Sequence, residues 1–279
     1  QLYRAETPGP MKDSKMTPRI ADTAKHLWYI YVALTTLCAV SYWLAGMNVF
    51  DAISHSFSTV AIGGFSNYDD SIGHFNSPAV NMVCVVFLSM TNRSIKQYLR
   101  DPEFKIFLYI QLALVLLCWF VLLDQEVFDS KAVALDQALF QAVSISTTAG
   151  FATTDFSSWP LFLPILLIFS SFIGGCASST GGGLKVVRVI LLFKQGMREI
   201  SRLVHPKAMF SIKLGKKALP DRVVEAVWGF FSAYALVFVV IMLALLGTGM
   251  DDITAFTATA ACLNNLGPGL GDVASNYAS

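Results

Sequence analysis

Three short stretches of this chain carry residues suited to holding a cation with backbone atoms. They are residues 51–65 (DAISHSFSTVAIGGF), 136–151 (DQALFQAVSISTTAGF) and 252–268 (DITAFTATAACLNNLGP). Each opens Asp-x-x-x-(His/Phe) and reaches a glycine 13, 14 or 15 residues after its aspartate. Glycine adopts backbone angles that other residues avoid, so a loop of small residues with glycine can turn successive carbonyls to one side. A ring of such oxygens replaces the water shell of a dehydrated cation. A short helix before each loop aims the partly negative end of its dipole at the same place. One such loop says little, but several around one axis build a pore.

Loops of this kind need walls. The 279-residue chain is 54% hydrophobic and only 14% charged, against about 25% charged in an ordinary soluble domain. Its apolar residues are blocked into nearly uncharged runs at 27–46, 106–123, 161–175 and 223–247, each near the roughly 20 residues that cross a bilayer core of about 30 Å. These runs predict an all-α integral membrane protein of repeated units: outer helix, re-entrant pore helix with its loop, inner helix. Too few residues separate each outer helix from its loop for two full spans, so a re-entrant half-helix is expected, with its irregular backbone buried in protein or lining water. The units are placed at 27–90, 106–200 and, incompletely, 223–279. Residues 1–26, 91–105 and 201–222 are read as cytoplasmic segments. Asp51 is expected to cap the first short helix. His55 falls where the other units, counted from their aspartates, have Phe140 and Phe256, and reads as a packing position. Phe65 and Phe151 are expected to wedge their loops against neighbouring helices.

Charge placement sets an expected orientation. Net charge is +1, yet half of the twenty basic residues lie between Lys185 and Arg222, and the loop-bearing segments are acidic and almost free of Lys and Arg. Basic short loops stay cytoplasmic, so the three loops are expected to face outside with an acidic mouth that gathers cations. The five cysteines (Cys38, Cys84, Cys118, Cys176 and Cys262) are widely spaced, form no CxxC and read as small buried side chains. The N-terminal QLYRAETPGPMKDSK lacks an initiator Met and an apolar segment, and the return run after Pro78 is short for a span. Both features suggest part of a longer chain with segments omitted.

The third apolar run is interrupted by SSFIGGCASSTGGG at 170–183. Each glycine costs a helix about 1 kcal/mol relative to alanine, so a break is expected between helical flanks at 161–169 and 184–193. Lys185 and Arg188 are read as marking its cytoplasmic end. A phosphate-binding loop is excluded, because Leu184 separates Gly183 from Lys185 and no Ser or Thr follows. An intramembrane hydrolase using Ser179 or Ser146 would need a facing His or Asp. An ion-coupled secondary transporter would place its breaks in inverted pairs, whereas these units run in one direction.

VAIGGF, STTAGF and NNLGPG, in that order, resemble the Trk/Ktr/HKT superfamily of potassium transporters, above all its bacterial Trk-type uptake subunits. The resemblance covers essentially the whole chain. It implies four such units around one pore, of which this chain would hold the second to fourth. It makes Ile62, Gly63 and Gly64 the first unit's share of a potassium filter of backbone carbonyls, Thr148, Ala149 and Gly150 the second's, and Asn265, Leu266 and Gly267 the third's. Glycine at 64, 150 and 267 goes with potassium rather than sodium in that family. The interruption, comprising Gly174, Gly175, Cys176, Ala177, Ser178, Ser179, Thr180, Gly181, Gly182 and Gly183, would be an intramembrane gate below the filter. The resemblance further implies passive, non-enzymatic potassium uptake in a bacterial inner membrane, with the symport alternative left open. Potassium is then the cargo, with no organic cofactor. The expected partners are a second copy, a cytoplasmic nucleotide-binding ring and lipid, with no nucleic acid.

Overall fold

The computed structural model describes residues 20–89, 102–177, 179–205, 210–215 and 217–274. Ser178 of the interrupted segment, and most of the segments expected at 1–26 and 91–105, lie outside the described residues. The chain is helical almost throughout. In order come α1 (Ile20–Leu44), α2 (Val49–Val60), a 3-10 turn (Ser71–Phe75), α3 (Pro78–Ser89), α4 (Pro102–Asp124), α5 (Lys131–Ser146), a 3-10 turn (Phe156–Ser158) and α6 (Leu163–Ile173). Then follow α7 (Val186–Val204), the two-residue hairpin strands β1 (Lys213–Leu214) and β2 (Lys217–Ala218), α8 (Asp221–Gly247), α9 (Asp252–Asn264) and a 3-10 turn (Gly271–Val273).

The repeated unit appears three times: α1–α2–α3, α4–α5–α6/α7 and α8–α9. In each, a long helix reverses through a few residues into a short helix packed back against it. α4 and α8 are long and apolar enough to cross a bilayer alone. Many large apolar side chains of α8 point outward, among them Leu236, Val239, Val240 and Leu243, which suits a hydrocarbon solvent. The third apolar run is not one span, because α6 stops after 11 residues. Four of the cysteines are buried, as expected, but Cys262 is exposed.

The short helices form the centre of the molecule. Ala138, Ala142 and Ile145 of α5 join Ala260 and Ala261 of α9 in one core with α4 and α6. Phe140 and Val143 of α5 join a second core with Cys38 and Tyr42 of α1, Ala52 of α2 and the apolar face of α3. The middle short helix thus belongs to both cores, which fixes the spacing of the three loops that follow the short helices.

The three aspartates do not occupy equivalent positions. α2 is capped by Asn48, whose Oδ1 accepts from the Asp51 backbone N–H at 2.8 Å, so Asp51 is not the cap. α5 is capped by Ser130, which leaves Asp136 well inside the helix. α9 is capped by Asp251, and Asp252 is its first residue. The caps of α2 and α9 each lie 14 residues before the left-handed residue of their loop and that of α5 lies 18 before, so the three aspartates share no common place in their helices.

Candidate functional site

The three short helices end identically. After α2, the N–H of Ile62 donates to Thr59 O and that of Gly63 to Ser58 O; after α5, Thr148 donates to Ile145 O and Ala149 to Ser144 O; after α9, Asn265 donates to Cys262 O and Leu266 to Ala261 O. These paired bonds are a Schellman ending, which needs a left-handed residue just past the helix. Ile62, Thr148 and Asn265 supply it, with φ of 56°, 65° and 60°. Asn tolerates this region, whereas β-branched Ile and Thr rarely enter it. Strain of this kind persists where the surroundings over-determine it and clusters at functional sites. Two residues on, Gly64, Gly150 and Gly267 turn positive again at 71°, 82° and 95°. The triplets Ile62-Gly63-Gly64, Thr148-Ala149-Gly150 and Asn265-Leu266-Gly267 therefore share one alternating backbone. Ile62, Thr148, Ala149 and Leu266 bury their side chains.

The loops also meet. A Cβ on Gly64 would lie 1.8 Å from the carbonyl oxygen of Ala149, and one on Gly150 would lie 2.0 Å from that of Leu266. Loop 1 thus abuts loop 2, and loop 2 abuts loop 3, through a glycine Cα against the middle carbonyl of the next triplet. A Cβ on Gly267 would meet nothing within 4 Å. The fold brings the nine residues of the three triplets together as one cluster at the ends of three converging helices. Among the described residues no group of three His, Cys, Asp or Glu side chains could hold a metal ion.

The interrupted segment is a twelve-residue insertion between α6 and α7. Its ends rejoin: Leu184 N–H donates to Phe172 O at 2.8 Å and Val186 N–H to Gly175 O at 3.1 Å. The left-handed Gly174 and Gly183 pack backbone to backbone at this neck, where a side chain on either would collide. The tip reaches all three loops. Thr180 Oγ1 donates to Ala61 O at 2.8 Å, and Gly182 N–H donates to Thr148 Oγ1 at 2.6 Å. A Cβ on Gly181 would lie 2.5 Å from Thr147 O, and one on Gly182 would lie 1.7 Å from Asn264 O. Ala61, Thr147 and Asn264 close the three short helices, so the tip sits directly against their C-terminal ends. Ser171 Oγ accepts from Asn264 Nδ2 at 3.0 Å, and Asn264 Oδ1 accepts from Tyr234 of α8 at 2.6 Å.

Lys185 does not mark a solvent-facing end. It is buried, and its ammonium donates to the carbonyls of Ser179 at 2.8 Å and Gly181 at 2.6 Å, cross-linking the insertion from inside. Arg188 lies over the Phe230 ring of α8, 4.2 Å from its centroid, a cation–π contact. Ser179 Oγ donates to Cys176 O. Ser146 Oγ donates to Ala142 O and accepts from Gln111. Both hydroxyls serve as structural bonds.

The expectations for the aromatic residues divide. Phe151 is buried and wedges loop 2, but Phe65 is 81% exposed. His55 is more than a packing residue. It is fully buried, with Nδ1 on Asp51 O at 2.8 Å and Nε2 on Ser66 Oγ at 2.9 Å. Counted back from the left-handed residue of each loop, its counterparts are Gln141 and Ala258 rather than Phe140 and Phe256. Asp51 is 2% exposed and accepts from Asn48 (2.6 Å), Asn67 (2.9 Å) and Tyr68 (2.8 Å). Burial alone would raise its pKa, but the bonds from Asn67, Tyr68 and Asn48 outweigh it and hold the carboxyl below the ordinary carboxylate value.

Repeated units of a long helix and a short helix packed back against it, with an insertion seated against the ends of the short helices, define an all-α integral membrane protein. Comparison with known proteins gives the particular family: the chain belongs to the TrkH family of cation transport proteins, whose model matches residues 1–94 and 87–279. It is 63% identical over 291 aligned residues to the Trk system potassium uptake protein TrkH of Vibrio parahaemolyticus, covering 99% of this chain and 60% of that protein. It is 59% identical to TrkH of Escherichia coli K12, with 100% and 60% covered, and 42% identical to TrkG of the same strain, with 99% and 59% covered. The crystal structure of the potassium transporter TrkH from Vibrio parahaemolyticus superposes with a TM-score of 0.87 at 60% identity, over 94% of this chain and 60% of that one. The chain thus spans about 60% of the length of the relatives it matches.

Proposed function

We propose that this chain contributes three quarters of a potassium-selective pore and takes part in potassium uptake as its relatives' names describe. The observation that carries the reading is the same alternating backbone in three loops that touch one another. Ile62 to Gly64, Thr148 to Gly150 and Asn265 to Gly267 hold the dehydrated ion by main-chain carbonyls. The open flank of Gly267 is where a further loop completes the ring. The insertion from Gly174 to Gly183 closes the pathway under these loops, and it must withdraw for ions to pass. The loops face outside, and the basic segment following α7 faces the cytoplasm of a bacterial inner membrane. There it meets anionic lipid and a nucleotide-binding ring, and the pore subunit works as a homodimer within a Trk system.

The filter assignment is tested at Gly64. A side chain there collides with Ala149 O and strains a positive φ, so Gly64→Ser misplaces two loops together. The expected result in vesicles carrying the protein is a loss of potassium-over-sodium preference of about tenfold or more, the factor for roughly 1.4 kcal/mol. An unaltered preference, with the variant folded and inserted, refutes the assignment.

A further inference from the structure

Each short helix reaches forward with a buried polar side chain and holds the strand that leaves its own loop, and each uses a different chemical group. In the first unit His55 bonds Ser66, two residues past Gly64. In the second, Gln141 Nε2 donates to Thr154 O at 2.9 Å, four residues past Gly150. In the third, Thr257 Oγ1 accepts from Leu270 N–H at 3.0 Å, three residues past Gly267. His55 and Gln141 each lie seven residues before the left-handed residue of their loop, and Thr257 lies eight before. A loop tied at both ends has little freedom to widen or collapse around an ion. The brace therefore sets how firmly each triplet keeps its geometry.

His55 makes the most elaborate of the three. Its Nδ1 faces a carbonyl oxygen, that of Asp51, so Nδ1 carries a proton and donates. In the neutral ring Nε2 then accepts, and Ser66 Oγ–H is its donor. Ser66 Oγ in turn accepts from the Tyr68 backbone N–H at 3.2 Å. The ring meets Phe75 edge-on, with centroids 5.4 Å apart, and lies over Phe151, with centroids 6.5 Å apart at 29°. Phe151 directly follows Gly150 of loop 2. One imidazole thus fixes the exit of loop 1 by hydrogen bonds and the exit of loop 2 by packing.

We infer that His55, acting through Ser66, is a positioning residue for ion selectivity: it holds the Ile62-Gly63-Gly64 triplet at the spacing on which discrimination between potassium and sodium depends. The inference rests on the proposed pore function. It assigns the selectivity of the first loop to a side chain that never touches the ion.

The test measures potassium and sodium flux in vesicles carrying the protein or its His55→Phe, Ser66→Ala, doubly substituted and His55→Gln variants. His55→Phe keeps the ring packing and removes both hydrogen bonds, and Ser66→Ala removes the partner while leaving the ring. Each is expected to reduce the potassium-to-sodium flux ratio by about fivefold, the factor for one buried hydrogen bond. The double variant is expected to be no worse than either single one, because both break the same link. His55→Gln installs the group that the second unit uses at this position and is expected to restore most of the ratio. An unchanged ratio in both single variants, or effects that simply multiply in the double one, overturns the inference. If His55→Phe fails to insert, Ser66→Ala alone decides in the same way. A parent protein without potassium preference instead overturns the pore reading, and this inference with it.

Discussion

The three loops and the insertion beneath them are both glycine-rich departures from helix, yet they are held in opposite ways. Each loop is fastened by its own unit. Ile62 and Gly63 bond back to Thr59 and Ser58, and the braces His55–Ser66, Gln141–Thr154 and Thr257–Leu270 span 11 to 13 residues. The insertion is fastened at its tip over longer distances: Thr180 bonds Ala61 of the first unit across 119 residues, and Gly182 bonds Thr148 of its own unit across 34. Local bonds survive as long as the unit is folded. Bonds between units can break without unfolding either partner, which is what a moving element needs. Glycine content alone therefore does not distinguish the two segments; the address of their hydrogen bonds does.

This contrast can be broken most directly by removing the tip. Deleting Ser179–Gly183 removes the contacts with Ala61, Thr147, Thr148 and Asn264, and potassium or rubidium flux is expected to rise by on the order of tenfold or more, since each lost bond is worth about 1 kcal/mol. Unchanged flux would mean that the insertion is a connector and not a closure. A smaller effect sharpens the same point. Thr180→Ala removes one tip bond and is expected to raise flux by about threefold to tenfold, with the potassium-to-sodium ratio unaltered because the braces are intact. A change in that ratio would show that the two regions are not held independently.

The smallest effect concerns pH on the loop side. The Asp51 carboxyl sits below its ordinary value in the folded protein, so its ionised form favours folding. That contribution is complete above the unfolded carboxylate pKa of about 4 and is lost as pH falls through the lower folded value. Thermal stability is therefore expected to be insensitive to pH through Asp51 near neutrality, where its contribution is full, and to fall on acidification below about pH 4. Asp51→Asn should flatten that part of the profile; an equally steep acid limb in the variant would assign the loss to other groups.

Much of this arrangement was legible in the sequence. Uncharged runs located the long helices, and the glycines located the loops and the insertion, because hydrocarbon and backbone hand constrain composition strongly. The register of the short helices was less legible. Counting from Asp51, Asp136 and Asp252 paired His55 with Phe140 and Phe256, whereas the helices start at Asn48, Ser130 and Asp251. Counting back from the loops would have exposed Gln141, which was missed. A lysine after a glycine-rich break looks like a solvent-facing edge, whereas Lys185 is buried. Its partners are carbonyls of the break itself, which no sequence pattern announces. The exposure of Phe65 against the burial of Phe151 likewise depends on which neighbours each unit has, and not on the repeated motif.

The glycine contacts between loops have a direction. Gly64 presses on the carbonyl of Ala149, and Gly150 on that of Leu266, so each unit leans on the one that follows it in the chain. A side chain added at the first of these glycines is therefore expected to displace the second loop, and one added at the second to displace the third, whereas one added at Gly267 meets neither neighbour.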